Sequence, residues 1–321
     1  MTGPSAAVLG AGTWGITLAW LLARGGRPVQ LWSSSSEKRT ELRERGRTSR
    51  TEAIQLPDSV QLPDSIEEAL ASDLVLLALQ PAAVRPTLRS FAPAFRPEQG
   101  LVHFVKGFEV GGTPISQVIT QETRVLRVGA VAGPVVPAEL WRGEDTAVVI
   151  GSPFQALIDE VTEWLTTDQV RVYSTRDLTG VEVGGAMRTP VAFATGVLRG
   201  RGLGRALTAV LLTRGVAEGA RLAEALGGDS RTLAGLSGVG DWMLTTTDPE
   251  EPLVQAGLRL AGGGEFGWDE ADSRVRTLLG LGDKLGIDLP ITRAVCALLD
   301  GADADAVLRQ AMVRAPREEV E

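Results

Sequence analysis

Short apolar runs alternate with polar and amphipathic stretches through the first half of the chain, and a helical texture takes over in the second. Residues 6–9 form an apolar run that meets Gly10-Ala11-Gly12-Thr13-Trp14-Gly15, and a helical segment over 16–24 stops at Gly25-Gly26. Residues 28–32 read as a second strand ending in four serines, Ser33 to Ser36. The charged stretch 37–50, with its basic bias, reads as a solvated helix or a mobile flap. Ser65-Ile66-Glu67-Glu68 carries capping-box chemistry for a short helix. Residues 73–79 are almost unbroken aliphatic, as in a parallel strand covered on both faces, and Gln80-Pro81 ends them before a helix. Further strands are expected over 100–105, 124–132, 146–150 and 170–173. Alternation at these lengths predicts an α/β fold, a Rossmann-type doubly wound parallel sheet with right-handed crossovers.

From Asp177 onward the apolar spacing is helical. Residues 205–226 place Leu207, Val210, Leu211, Ala217 and Leu222 on such a period and stop at Gly227-Gly228. Helices are expected again over 269–285, 290–299 and 302–312. No repeat or Pro-rich linker separates the two textures. Two units are therefore expected: a dinucleotide-binding domain over 1–176 and an all-helical substrate-binding domain over 177–321. The stretch 181–190 carries Gly184-Gly185, which costs about 1 kcal/mol per glycine against alanine inside a helix. Either it is a helix that makes a close approach to another element, or it is a loop before a helix that begins near Pro190.

Composition narrows the function. A length of 321 residues suits two ordinary domains, and a net charge of −8 argues against general binding to nucleic acid or an anionic membrane. One cysteine, Cys296, and one histidine, His103, exclude a disulfide framework and a Cys/His metal site. No apolar run reaches the ~18 residues of a membrane span, and the start lacks a signal-peptide pattern, so a cytoplasmic location is expected. Large apolar helical faces make a homodimer plausible.

The glycine turn carries the clearest chemistry. Strand, G-x-G-x-x-G and helix in that order form a dinucleotide fingerprint. Gly10 permits the tight turn, Gly12 lets the backbone approach a pyrophosphate, and Gly15 brings helix and strand together. The helix start, at Thr13 and Trp14, then favours an anion. About 20 residues on, an acidic residue would favour NAD through the ribose hydroxyl. Here stand serines, Ser34 among them, followed by Glu37, Lys38 and Arg39. Small hydroxyls beside basic groups lean weakly to NADP, and a plain polar loop reads equally well. Lys106, with Gly107, ends a strand where ligands bind in such folds. Its ammonium suits a phosphate or a carbonyl oxygen. His103 alternates away from Phe104 and Lys106, which predicts a structural or surface role.

These segments, taken together, resemble the NAD(P)-dependent glycerol-3-phosphate dehydrogenases almost end to end. Gly10 to Gly15 match that family's G-x-G-S/T-W-G, Lys106-Gly107 its K-G, and Gly133-Pro134 the start of its G-P-S-x-A. Residues 182–186 match E-L-G-G-A, Leu212-Thr213-Arg214-Gly215 the I-T-R-G helix, and residues 235–241 G-L-x-G-x-G-D. Residues 285–292 match the start of the family's final helix. The resemblance implies hydride transfer between NAD(P)H and dihydroxyacetone phosphate or glycerol 3-phosphate. It carries cofactor contacts to Thr13, Trp14, Lys106, Pro137 and Glu270. It carries substrate contacts to Lys106, Gly133, Arg188 and Asp241, with Arg188, Lys106 and Asp241 as the catalytic group.

The departures fall on the substrate side. The serine of G-P-S is Val135, the catalytic lysine is Arg188 and its asparagine neighbour Thr189. The phosphate-clamping S-R-N aligns with Glu251-Pro252-Leu253. Arginine keeps its proton above a pKa of ~12, so Arg188 suits polarising a ketone better than acting as a general base. Glu250 and Glu251 are expected to repel a phosphate dianion unless they turn away. Two alternatives stay open beside the family's own reaction. One is a dehydrogenase of another hydroxy or keto substrate, the other a catalytically impaired dinucleotide-binding protein.

Overall fold

The computed structural model describes residues 5–264, 267 and 269–312, and for 311 and 312 the backbone only. Residues 1–4 and 313–321 of the two expected units lie outside this range. Seven strands form one sheet: β1 (Ala6–Leu9), β2 (Val29–Trp32), β3 (Leu74–Leu77), β4 (Gly100–His103), β5 (Arg127–Ala132), β6 (Thr146–Gly151) and β7 (Val170–Thr175). Their order is β2-β1-β3-β4-β5-β6-β7. The strand order therefore reverses between β1 and β3, the place where doubly wound sheets open a ligand crevice. All pairs are parallel except β5 with β6, which run antiparallel with Val131 opposite Ile150. The doubly wound sheet is thus mostly parallel, as expected, with this one antiparallel pair added. The connection from Ala132 to Thr146 holds only a five-residue helix, Pro137–Trp141, and Gly133 with φ +141° turns the chain back at once.

Helices cover both faces of the sheet: α1 (Thr13–Arg24), α2 (Ser36–Arg45), α3 (Ile66–Ala69), α4 (Pro81–Ser90), α5 (Ile115–Glu122), α6 (Pro137–Trp141) and α7 (Gln155–Leu165). Two apolar clusters result, one on each face. Val8, Leu76 and Val102 pack with α1 and α7, while Leu9, Leu77 and Leu101 pack with α4 and α5. The charged stretch after β2 resolves into α2, capped by Ser35 and ended at Gly46 with φ 61°. The strand expected over 124–132 is shorter, because Arg124 to Leu126 lie outside the ladder.

The rest of the described chain is helical: α8 (Leu178–Gly200), α9 (Arg205–Ala225), α10 (Asp241–Thr247), α11 (Pro252–Ala261), α12 (Asp269–Leu285), α13 (Pro290–Leu299) and α14 (Ala304–Met312). A π-helical turn, Leu236–Gly240, leads into α10. Residues 181–190 are continuous helix within α8, with Pro190 inside it, so the loop alternative falls. Close approach explains Gly184: a Cβ there would lie 2.6 Å from the Ser237 carbonyl oxygen, whereas one on Gly185 would make only ordinary contact with Lys106 at 3.8 Å. Further along α8, a Cβ on Gly196 would lie 2.0 Å from the Val254 carbonyl oxygen, and one on Gly257 would lie 2.1 Å from that of Phe193. Backbone contact of this kind sets α11 against α8 with no side chain between them.

Candidate active site

Because β1, β3 and β4 are parallel, their carboxyl ends open on one edge of the sheet. The glycine turn stands there. Gly10 has φ +115°, and a Cβ on Gly15 would lie 1.8 Å from the Gly10 carbonyl oxygen. Helix and turn can close so tightly only on glycine. Residues 15–23 of α1 are buried, whereas Gly12, Thr13 and Trp14 are half-exposed. No side chain caps this helix, and nothing lies within 4 Å of a Cβ position on Gly12. Uncapped first-turn amides facing open space fit an anionic pyrophosphate. Trp14 stands beside Phe104, ring centroids 5.8 Å apart, next to the strand end that bears Lys106.

The other expected cofactor contacts scatter around this edge. Ser34 is exposed at the end of β2, and Arg39 turns its guanidinium onto the Ser33 carbonyl oxygen. Pro137 is the first residue of α6, whose Trp141 donates to the Thr17 hydroxyl of α1 at 3.1 Å. Glu270 lies in the first turn of α12 and pairs with Arg274.

Lys106, Asp241 and Arg188 meet where the sheet edge faces α8 and α10. The Lys106 ammonium donates to both Asp241 carboxylate oxygens at 2.7 Å. Asp241 is buried, its side chain 2% exposed, while that of Lys106 keeps 29%. Arg188 Nε donates to the Thr245 hydroxyl at 2.8 Å and lies 3.8 Å from Asp241, and its terminal nitrogen reaches Glu251 at 2.8 Å. Thr245 in turn donates to the Asp241 carbonyl oxygen one turn earlier in α10. Burial pushes the Lys106 pKa below the ordinary lysine range; Asp241 opposes the shift and the Arg188 charge reinforces it. Such an ammonium can give up its proton more readily than a free lysine.

Glu251 does not turn away from the site; it neutralises Arg188. Glu250 is exposed, Pro252 opens α11, and Leu253 is buried at 1% exposure. The first turn of α11 contributes no basic side chain of its own; the cation beside it is Arg188, held by Glu251. Gly133 lies at the end of β5, where Val148 backbone would crowd any Cβ, and Val135 packs against the apolar cluster on the α1 face.

Nearly the whole described chain matches two family models: the N-terminal part of NAD-dependent glycerol-3-phosphate dehydrogenase over residues 5–158, and the C-terminal part over residues 177–308. The chain belongs to the glycerol-3-phosphate dehydrogenase family. Relatives named NAD(P)+-dependent glycerol-3-phosphate dehydrogenase include one from Chlorobium luteolum, 35% identical over 98% of both chains. Another, from Frankia casuarinae, is 36% identical over 97% of both. The crystal structure of a glycerol-3-phosphate dehydrogenase from Coxiella burnetii superposes with a TM-score of 0.91 at 28% identity, over 97% of this chain and 99% of that one. The protein is thus an oxidoreductase-family member with a Rossmann-type unit. No described helix is long and apolar enough to cross a membrane, and no described cluster of His, Cys, Asp and Glu suits a metal ion.

Three parts of this glycerol-3-phosphate dehydrogenase-like site escape a reading of the sequence. Thr245 follows Asp241 by four residues, a helical spacing that puts both on one face and could have named it. The Arg188–Glu251 pair joins residues 63 positions apart and has no local signal. The third is His103, buried in the contact between β4 and α8. Its Nε2 lies 3.1 Å from Glu182, whose carboxylate also accepts from the Ser116 amide at 2.8 Å and hydroxyl at 2.6 Å. Alternation directs His103 away from Lys106, as expected, but it meets a buried carboxylate and not solvent.

Proposed function

We propose that the protein is an NAD(P)-dependent dehydrogenase that reduces dihydroxyacetone phosphate to sn-glycerol 3-phosphate, with Arg188, Lys106 and Asp241 as its catalytic group. The observation that carries this reading is the convergence of Lys106, Arg188 and buried Asp241 at the sheet edge beside the glycine turn. Bound there, the reduced nicotinamide supplies the hydride for the carbonyl carbon. Arg188 and Lys106 polarise the carbonyl oxygen and stabilise the charge that develops on it. Lys106, whose pKa is lowered, gives a proton from Nζ to that oxygen and becomes a neutral amine, and Asp241 holds Nζ in place before and after the transfer. Arg188 keeps its proton and acts as an electrostatic stabiliser, leaving the proton transfer to Lys106.

Gly10, Gly12, Thr13, Trp14 and Gly15 would hold the dinucleotide, with Ser34, Lys106, Pro137 and Glu270 around it, and Gly133 would border the substrate. Both NAD and NADP remain within this reading, and the weak lean to NADP rests on Ser34 and Arg39. We further propose the division at 176/177, a cytoplasmic location and a homodimer. Purified protein incubated with dihydroxyacetone phosphate and either NADH or NADPH should oxidise the cofactor in step with glycerol 3-phosphate formation. Absence of turnover with both cofactors would overturn the proposal. A second reading, a different keto substrate, has one observation in its favour: Glu251, Pro252 and Leu253 stand where the family clamps phosphate. Its test is the same assay run over a panel of small ketones.

A further inference from the structure

Loss of the clamp at the start of α11 leaves a question of charge, and α12 supplies an answer. Arg274 lies across the turn after β4. Its Cδ is 3.7 Å from the position a Gly107 Cβ would take, and Pro81 is equally close. Gly107, with φ +120°, turns the chain there, and the arginine stem lies at ordinary contact distance across it, beside Lys106. One terminal nitrogen of Arg274 donates to Gln80 Oε1 at 3.0 Å and also to Glu270. Its Nε is enclosed and has no acceptor among the described residues. The Arg274 side chain is 17% exposed, and burial together with the nearby Arg188 charge lowers its pKa.

Three cations therefore converge on this edge, Lys106, Arg188 and Arg274, opposite three carboxylates. Asp241 and Glu251 are committed to Lys106 and Arg188 and are largely buried, at 2% and 16% exposure. Glu270 is the loosest of the three at 38%, and solvent screens its hold on Arg274. Glu270 is also the carboxylate that the family resemblance assigns to the cofactor. A ligand that drew Glu270 away would leave the enclosed Nε and one N–H of the Gln80-bound terminal nitrogen without acceptors, and an enclosed donor without an acceptor is costly. A phosphoryl group presents the matching pair of oxyanions to such a fork.

We infer that Arg274 binds the phosphoryl group of the substrate, taking over from α12 the part that a cation at the start of α11 would play. The inference rests on the dehydrogenase reading above for the identity of that substrate. Dihydroxyacetone phosphate and a pyrophosphate of the cofactor share this chemistry, and the measurements separate them.

Full-length wild type, Arg274→Met and Arg274→Lys are compared on dihydroxyacetone phosphate and on unphosphorylated dihydroxyacetone at saturating cofactor, and cofactor Kd is measured by titration. For Arg274→Met the expected result is a KM for the phosphorylated ketone raised about tenfold to a hundredfold, with kcat, cofactor Kd and activity on the unphosphorylated ketone changed little. Arg274→Lys should recover part of the loss. An equal change on both ketones, or none, overturns the inference. A rise confined to cofactor Kd overturns it too, by assigning Arg274 to the pyrophosphate. If wild type does not turn over the phosphorylated ketone, the dehydrogenase reading fails by itself. Arg274 is then judged by inorganic phosphate binding in calorimetry: loss in a folded Arg274→Met, checked by circular dichroism, upholds its anion site, and equal binding overturns it. Should Arg274→Met not fold, Arg274→Lys decides: a smaller KM rise confined to the phosphorylated ketone upholds the inference, and an unchanged KM overturns it.

Discussion

The family resemblance implies a lysine at the position of Arg188, and the surroundings of Arg188 show how the site holds a guanidinium there. A guanidinium has more donors than an ammonium, and here they are shared between Thr245 and Glu251. Glu251 offsets the charge that the fork brings, and Lys106 is left to Asp241. Since arginine stays protonated, the site holds an electrostatic stabiliser in place of a titrating base. Arg188→Lys restores a titrating group here and is therefore expected to raise kcat/KM by roughly tenfold or more in both directions, since the equilibrium constant ties them, with an altered pH dependence. Initial rates measured across pH check this, and an unchanged rate and pH profile would count against the assignment.

At the scale of elements, the site depends on backbones that approach each other where side chains are missing. The β1–α1 turn needs Gly10 and Gly15 together, because a Cβ on Gly15 would meet backbone and not a movable side chain. Gly15→Ala should weaken cofactor binding at least about tenfold and lower Tm by several degrees, given a strain cost of roughly 1–3 kcal/mol. Cofactor titration and thermal melting measure both, and unchanged values would mean that the turn relaxes freely. The same logic places α8. Gly184 admits the π-helical turn that leads into Asp241, and Trp242 donates to the Gly184 carbonyl oxygen at 2.9 Å. Lys106 and Asp241 are thereby held within reach, although 135 residues separate them.

Across the whole molecule, the sheet unit and the helical unit are joined by polar contact as well as apolar packing. Glu182 of α8 reaches back to Ser116 on α5 and His103 on β4; His103 and Glu182 are enclosed and Ser116 is half-buried. Removal of the carboxylate strands three donors, each costing about 1–3 kcal/mol if left unsatisfied. Glu182→Ala should lower stability and separate one cooperative unfolding transition into two, seen by calorimetry. A single transition at unchanged temperature would show that the units are coupled by apolar packing alone. The proposed ketone site spans this same joint, so the variant should also raise KM for the substrate more than Kd for the cofactor.

Much of this was legible without coordinates. Apolar runs of period one and helical spacings of 3.6 are local properties, and they determined the strands, the helices and the division into a sheet half and a helical half. The glycine turn was legible for the same reason, since strand, turn and helix adjoin in sequence. Lys106 was legible from its place at a strand end, whereas Arg188 and Asp241 were reached only through resemblance, because no spacing links α8 and α10 to that strand end. The antiparallel β5–β6 pair, the placement of Glu251 on Arg188, the enclosure of His103 and the setting of Arg274 over Gly107 had no counterpart in any local pattern. These contacts join distant segments, and their geometry follows from which helices can touch backbone to backbone. Composition and periodicity determined that a dinucleotide fold forms; the crossing of α8 with its neighbours decided which charges face its open edge.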